Sequence, residues 1–203
     1  MCNADVVRYM LYGVDLMQFV KYNYYLYGIY EDPVFGETFR IMAKKIEKTN
    51  AARLLDKAGL KYNLIPYEFD ENDLAAQHVA DSLGQDIAKV FKTLVLHGDR
   101  TGHVVCVVPG NMEVDLKALA KLSGNKKVEM IAMKDLLSVT GYIRGGCSPI
   151  GMKKRFPTYF HNTAVNHDVI YVSAGVRGLQ IEINPVTLIN FVQGIIGEVA
   201  ENS

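Results

Sequence analysis

Two places in the sequence carry residue types that chemistry can use. Lys92 interrupts an otherwise apolar run, Phe91-Lys92-Thr93-Leu94-Val95-Leu96. Burying an ammonium without a partner is costly. Such a lysine either snorkels to water from an edge or solvent face, or points into a pocket where a phosphate, a carbonyl or a sugar hydroxyl receives it. The second place is Gly145-Gly146-Cys147-Ser148-Pro149-Ile150-Gly151. Adjacent glycines let backbone come close to a ligand, and Pro149 stiffens the exit. The backbone amides and carbonyls there can read a substrate, or the segment is a long surface turn. It does not fit GxxxxGK[ST], so it is no phosphate-binding P-loop.

Cys147 is the obvious nucleophile candidate, yet no base stands at readable spacing, and the nearest histidine in sequence is His161. Nucleophilic catalysis needs that partner. Ser148 lacks a G-x-S-x-G elbow. Ser173, at the end of an apolar run, can bind ligand or cap the glycine turn that follows. Tyr67 precedes an acidic loop and reads as a strand aromatic or a pocket wall. Cys2, Cys106 and Cys147 form no CxxC pair, which argues against a disulfide framework and a structural zinc site and fits a reducing cytoplasm. The five histidines show no metal-binding spacing.

The elements that must position these residues are mixed. Thr49 or Asn50 caps a helix through Ala51 and Leu55, with Gly59 as its stop. Tyr62 to Phe69 reads as a strand, Pro66 marking an edge or bend. A helix is expected over 74–83, ended by Gly84. Val90 to His97 and His103 to Pro109 form a hairpin across Gly98–Gly102. Asp115 caps a helix ending near Gly124. A short strand follows at Val128 to Ile131, then helical turns over 134–139. The glycine-rich stretch 141–151 is loop, apart from an extended piece at Tyr142 to Arg144. Val169 to Ser173 and Leu179 to Ile183 are strands. Asn184 and Pro185 open a last helix whose apolar stripe runs through Leu188, Ile189, Val192, Ile195, Ile196 and Val199. Hairpins with few regular βαβ units indicate an α+β fold.

The 203-residue chain has a formal charge of zero. Its distribution is uneven: ten Lys/Arg lie between Lys117 and Arg177 against Glu129, Asp135 and Asp168, about +7 in all. That half either holds a polyanion by releasing counterions or is a solvated surface. Residues 1–41 hold seven of the twelve tyrosines. Charges at Asp5, Arg8, Asp15 and Lys21 leave no run of about 18 apolar residues to span a bilayer, and no signal-peptide pattern is present. Met42-Ala43-Lys44-Lys45 reads like a natural start, making 1–41 a misassigned extension and 42–203 the working domain. An added helix, an oligomer contact and a peripheral membrane helix are the other readings.

Taken together the segments Phe91-Lys92-Thr93-Leu94, Lys126-Lys127-Val128-Glu129-Met130, Thr140-Gly141-Tyr142, Gly145 to Gly151, Tyr171-Val172-Ser173 and Arg177-Gly178-Leu179 resemble the YbaK family of trans-editing deacylases, also called EbsC. The resemblance covers roughly Lys48 to Glu198. It implies a barrel-like mixed sheet surrounded by helices, and removal of cysteine from mischarged Cys-tRNA(Pro), with Cys-tRNA(Cys) a further substrate. It implies no cofactor and no metal, and prolyl-tRNA synthetase as partner in a ternary complex. By the same resemblance Lys92 and Gly145 are catalytic, and Tyr67, Thr93, Gly146, Ser148, Pro149, Ser173 and Gln180 bind substrate. Cys147 receives no role. The chain departs from the pattern at Ala75, where some members carry an aromatic residue, and at Gln180, sometimes Asp. Both bear on cysteine selectivity. The mechanism implied is substrate-assisted: the cysteinyl thiol attacks its own ester and leaves as a thiolactone. A water-using deacylase of alanyl-tRNA and a non-catalytic tRNA- or synthetase-binding module are the competing readings.

Overall fold

The computed structural model describes residues 47–70 and 74–202. The tyrosine-rich segment 1–41 and the readings attached to it lie outside the described residues. Helix α1 (Asn50–Lys57) begins where Thr49 accepts a hydrogen bond from the Ala52 amide at 3.2 Å. Strand β1 (Asn63–Pro66) follows, then helix α2 (Ala76–Leu83), closed by Gly84 in the left-handed region. Strands β2 (Phe91–Gly98) and β3 (Gly102–Pro109) form the expected hairpin, in register from Phe91 opposite Pro109 to Gly98 opposite Gly102. Next come β4 (Met112–Val114), α3 (Leu116–Leu122), β5 (Val128–Met130) and α4 (Met133–Thr140). Asp115 caps α3 by accepting from the Lys117 and Ala118 amides. The chain continues through β6 (Thr158–His161), β7 (Ile170–Ser173), β8 (Leu179–Ile183), α5 (Pro185–Val192), β9 (Ile195–Gly197) and β10 (Ala200–Asn202).

The largest sheet has the order β5-β2-β3-β6-β9, antiparallel on the β5–β2–β3 side and parallel from β3 through β6 to β9. A three-stranded sheet, β1-β8-β7, is antiparallel throughout. A parallel bridge between Val90 and Tyr171 joins it to the entrance of β2. Strands β4 and β10 pair separately. Phe91, Val95, Val105, Val107 and Phe160 of the large sheet share one core with Ile170, Val172, Leu179, Ile181 and Ile183 of the small sheet. The two sheets thus wrap a common interior, the α+β, barrel-like arrangement expected. The other face of the β2–β3 hairpin, with Leu96, Val104, Cys106 and Val108, packs under Leu119 and Ala120 of α3. Strand β2 is therefore covered on both faces, which is why it reads as an apolar run rather than an alternation.

Several sequence expectations need correction. The last helix does not run on through Ile195 and Val199. Gln193 takes φ 58, and the Gly194 amide closes back on the Ile189 carbonyl at 2.8 Å. A Cβ at Gly194 would meet Phe160 Cε2 at 2.7 Å, so the chain lies flat against β6 and continues as strands. A helix followed at once by a strand had mimicked one long apolar stripe. The strand expected from Tyr62 to Phe69 is trimmed to four residues, and β1 is an edge strand as Pro66 required. Tyr142 to Arg144 belongs to no strand. The sequence reading missed β4 and β6. Among the described residues no helix is long and apolar enough to cross a membrane.

The β2–β3 hairpin is pinned from outside by buried Asn125. Its Oδ1 accepts from the Arg100 and Thr101 amides, and its Nδ2 donates to Thr101 Oγ1 and Ser123 Oγ. Replacing Asn125 with Ala takes the acceptor from the part-buried Arg100 and Thr101 amides, at a cost of about 0.5–1.5 kcal/mol. Urea unfolding of Asn125→Ala is expected to show that loss, and an unchanged midpoint would show that the turn holds without the clasp.

Candidate functional site

Side-chain alternation along the strands decides which residues can meet. Val90 and Tyr171 are neighbours across the parallel bridge. Two residues further along each strand are Lys92 and Ser173, on the faces that Val90 and Tyr171 define. Ser173 is directly opposite Gln180, and Gln180 is directly opposite Ile65. Tyr67, two residues beyond Ile65, extends this ladder by donating its amide to the Gly178 carbonyl at 3.0 Å. Tyr67, Lys92, Ser173 and Gln180 thus share one face of the joined sheets. Alternation sends Thr93 to the opposite face, with Phe91 and Val95.

The polar atoms on these residues differ in how they are used. Ser173 Oγ accepts from the Gly175 amide at 3.2 Å and so caps the β7–β8 turn. Gln180 is buried, and its Oε1 has no hydrogen-bond partner among the described residues. Thr93 Oγ1 is likewise buried without one. Unsatisfied buried acceptors are rare in folded chains and call for an explanation. Lys92 Nζ lies 2.8 Å from Glu113 Oε1 on β4, and the lysine side chain is 23% exposed. The sequence reading missed Glu113. Its only signal was that a lysine in a run buried on both faces must find an anion, and 21 residues of separation hid which one.

The glycine loop is fastened over the end of the shared core. Gly145 takes φ 81, and a Cβ there would press on Leu74 Cδ2 at 3.0 Å. Gly146 lies against the β7–β8 turn, where a Cβ would stand 3.2 Å from Val176 Cα. Arg177 Nε donates to the Arg144 carbonyl at 3.0 Å, tying loop to turn. Tyr142 is the clasp beneath. Its hydroxyl donates to the Ile150 carbonyl at 2.5 Å, and a Cβ on Gly175 would strike its ring at 2.8 Å. Burial, with Cys147 adding, pushes the Tyr142 hydroxyl up to about 12, so it stays a donor. Ser148 is fully buried, and its Oγ accepts from the Ile150 amide. Pro149 is buried beside it. Burial pushes the Cys147 thiol up to about 12. Ala75 is exposed at the start of α2. The loop thus presents backbone, while its own side chains are engaged in holding it.

Of the basic stretch, Lys126, Lys127, Lys134, Arg144, Lys153, Lys154 and Arg155 are exposed. Lys153 is partly structural, donating to the Leu137 and Ser138 carbonyls at the end of α4.

Residues 70–191 match the model of the aminoacyl-tRNA editing domain family, and the chain belongs to that family. It is 52% identical over 160 residues to a protein of Enterococcus faecalis that carries the name of a Cys-tRNA(Pro)/Cys-tRNA(Cys) deacylase, EbsC; the match spans 78% of this chain and 98% of that one. A proline–tRNA ligase of Fervidobacterium nodosum is 32% identical over 85 residues, which is 42% of this chain and 15% of the ligase. A crystal structure described as that of a trans-editing enzyme for prolyl-tRNA synthetase superposes with a TM-score of 0.65 at 20% identity, over 76% of this chain and 99% of its own. That last likeness speaks for the fold.

A thiol held near 12 is not a thiolate at neutral pH, and the thiolate is the reactive form. Raising the value favours the protonated form up to strongly alkaline pH. In the native chain at pH 8, Cys147 and Cys106, whose thiol is likewise pushed to about 12, are expected to alkylate far more slowly than in denaturant, read residue by residue by mass spectrometry. Equal rates would mean that Cys147 is open and activated.

Proposed function

We propose that residues 42–203 form a cytoplasmic trans-editing deacylase that removes cysteine from mischarged Cys-tRNA(Pro), and from Cys-tRNA(Cys) as a further substrate. The observation that carries the reading is a cation, Lys92, on the same sheet face as a buried, unsatisfied acceptor, Gln180 Oε1. The chain's own thiol, Cys147, packs against the shared core and is kept protonated. Such a site can orient a substrate but offers no activated nucleophile. The name carried by the Enterococcus faecalis relative supports the substrate class.

In the proposed reaction Lys92 contacts the aminoacyl ester or the terminal ribose and phosphate. The Gly145 carbonyl and the backbone of Gly146 receive the amino group or the 2′-oxygen. Tyr67, Ser173 and Gln180 wall the aminoacyl group. Ser148 and Pro149 keep the loop in shape, while Thr93, on the opposite face of β2 with Phe91 and Val95, stands behind this wall. The substrate thiol attacks the ester carbon: a C–S bond forms, the C–O bond to the ribose breaks, and the thiol proton ends on the departing ribose oxygen. Holding thiol and carbonyl in a near-attack pose contributes on the order of 7–11 kcal/mol by proximity. Alanyl and prolyl esters have no thiol and gain none of it. Prolyl-tRNA synthetase supplies tRNA identity in a ternary complex, a reading supported by the partial likeness to a proline–tRNA ligase.

The test is deacylation of Cys-tRNA(Pro) by the full chain and by Lys92→Ala. Removing an orienting charge from such a site costs about 10²–10³ in rate. That loss, with the wild type active, is the expected result; an active Lys92→Ala would remove the site from this face. Binding to tRNA through the exposed lysines is expected to weaken steeply between about 50 and 200 mM salt, and a salt-independent affinity would exclude that surface.

A further inference from the structure

We propose that Glu113 is a positioning residue that holds the Lys92 ammonium in the free protein and is displaced by the anionic end of the substrate. This inference rests on the deacylase reading above. Glu113 lies on β4, whose backbone is fixed on both counts that matter. Its ladder with β10 sets Glu113 opposite Glu201, and the Asp115 amide donates to the Val199 carbonyl at 3.0 Å. The Glu113 side chain, in contrast, is 62% exposed and free to swing, whereas that of Lys92 is 23% exposed and confined by its strand. The lysine therefore keeps its place while its counter-anion can leave.

Two features favour departure when substrate arrives. The carboxylate takes one of the ammonium's three N–H donors and offsets the charge that a phosphate would otherwise meet in full. A carboxylate and a phosphate near one ammonium also repel, and Glu201, directly across the strand pair, adds like charge that water relieves better than a closed site does. Among the described residues, Glu113 is the anion that the partly exposed Lys92 ammonium meets in the free protein. The pair thus keeps the lysine extended until the substrate replaces the glutamate.

Competition of this kind appears in KM. A partly exposed ion pair is worth little, so its removal changes binding by about two- to fivefold. Glu113→Gln, which keeps the oxygen but not the charge, is expected to lower KM for Cys-tRNA(Pro) by that factor while kcat changes less than KM. Glu113→Asp, drawn back by one methylene, is expected to give a smaller fall and serves as the readout where Glu113→Gln does not fold. A KM that is unchanged or raised in the folded variant, with a lower melting temperature, would reduce the pair to a structural salt bridge and overturn this inference alone. A wild type with no deacylase activity would overturn both this inference and the reading on which it rests.

Discussion

A lysine in a strand covered on both faces is the constraint on which the rest of the site depends. Strand β2 is gripped by the shared core on one side and by α3 on the other. Lys92 sits at the rim of that cover, only partly exposed, where an anion best holds its ammonium. Glu113 is that anion in the free protein. The strands beside β2 then determine what else the ammonium can meet. The Val90–Tyr171 bridge fixes the phase between the two sheets, and the phase brings Ser173, Gln180 and Tyr67 to the lysine's face.

The loop that borders this wall is built differently. Its side chains serve the loop itself: Tyr142 clasps Ile150, Ser148 accepts from the Ile150 amide, and Arg177 fixes Arg144. Gly145 and Gly146 are needed because Leu74 and Val176 press against the places where side chains would start. What remains for a ligand is backbone. A site of one cation, backbone groups and an unsatisfied amide oxygen suits recognition of an ester and its amino group. It explains why the conspicuous Cys147 thiol has no evident part in the chemistry: burial holds it protonated.

Much of the fold was legible because local signals and tertiary structure agreed. Thr49, Asp115 and Asn184 cap their helices by the hydrogen bonds their types suggest, and the β2–β3 hairpin closes where glycines flank a polar turn. Failures came where two elements abut without punctuation, as at Gln193 and Gly194, or where a strand is short and pairs far away in sequence, as for β4 and β6. The candidate site was half legible. Lys92 and the glycine loop stand out as departures from pattern, yet each had a structural explanation of its own, and the family resemblance weighed more than their chemistry. Register supplied what sequence could not: Thr93 falls on the face opposite its neighbour, Gln180 is buried with an acceptor unused among the described residues, and Glu113 reaches Lys92 across 21 residues.

If the chain only orients its substrate, the reactive group must belong to the ligand. The most direct measurement is the single-turnover rate on Cys-tRNA(Pro) compared with the same ester whose cysteinyl sulfur has been methylated. Blocking the sulfur removes an advantage on the order of 7–11 kcal/mol, so the methylated ester is expected to persist at its spontaneous rate while the free thiol ester is cleared and its thiolactone can be trapped. Undiminished cleavage of the methylated ester would contradict this and assign the nucleophile to water.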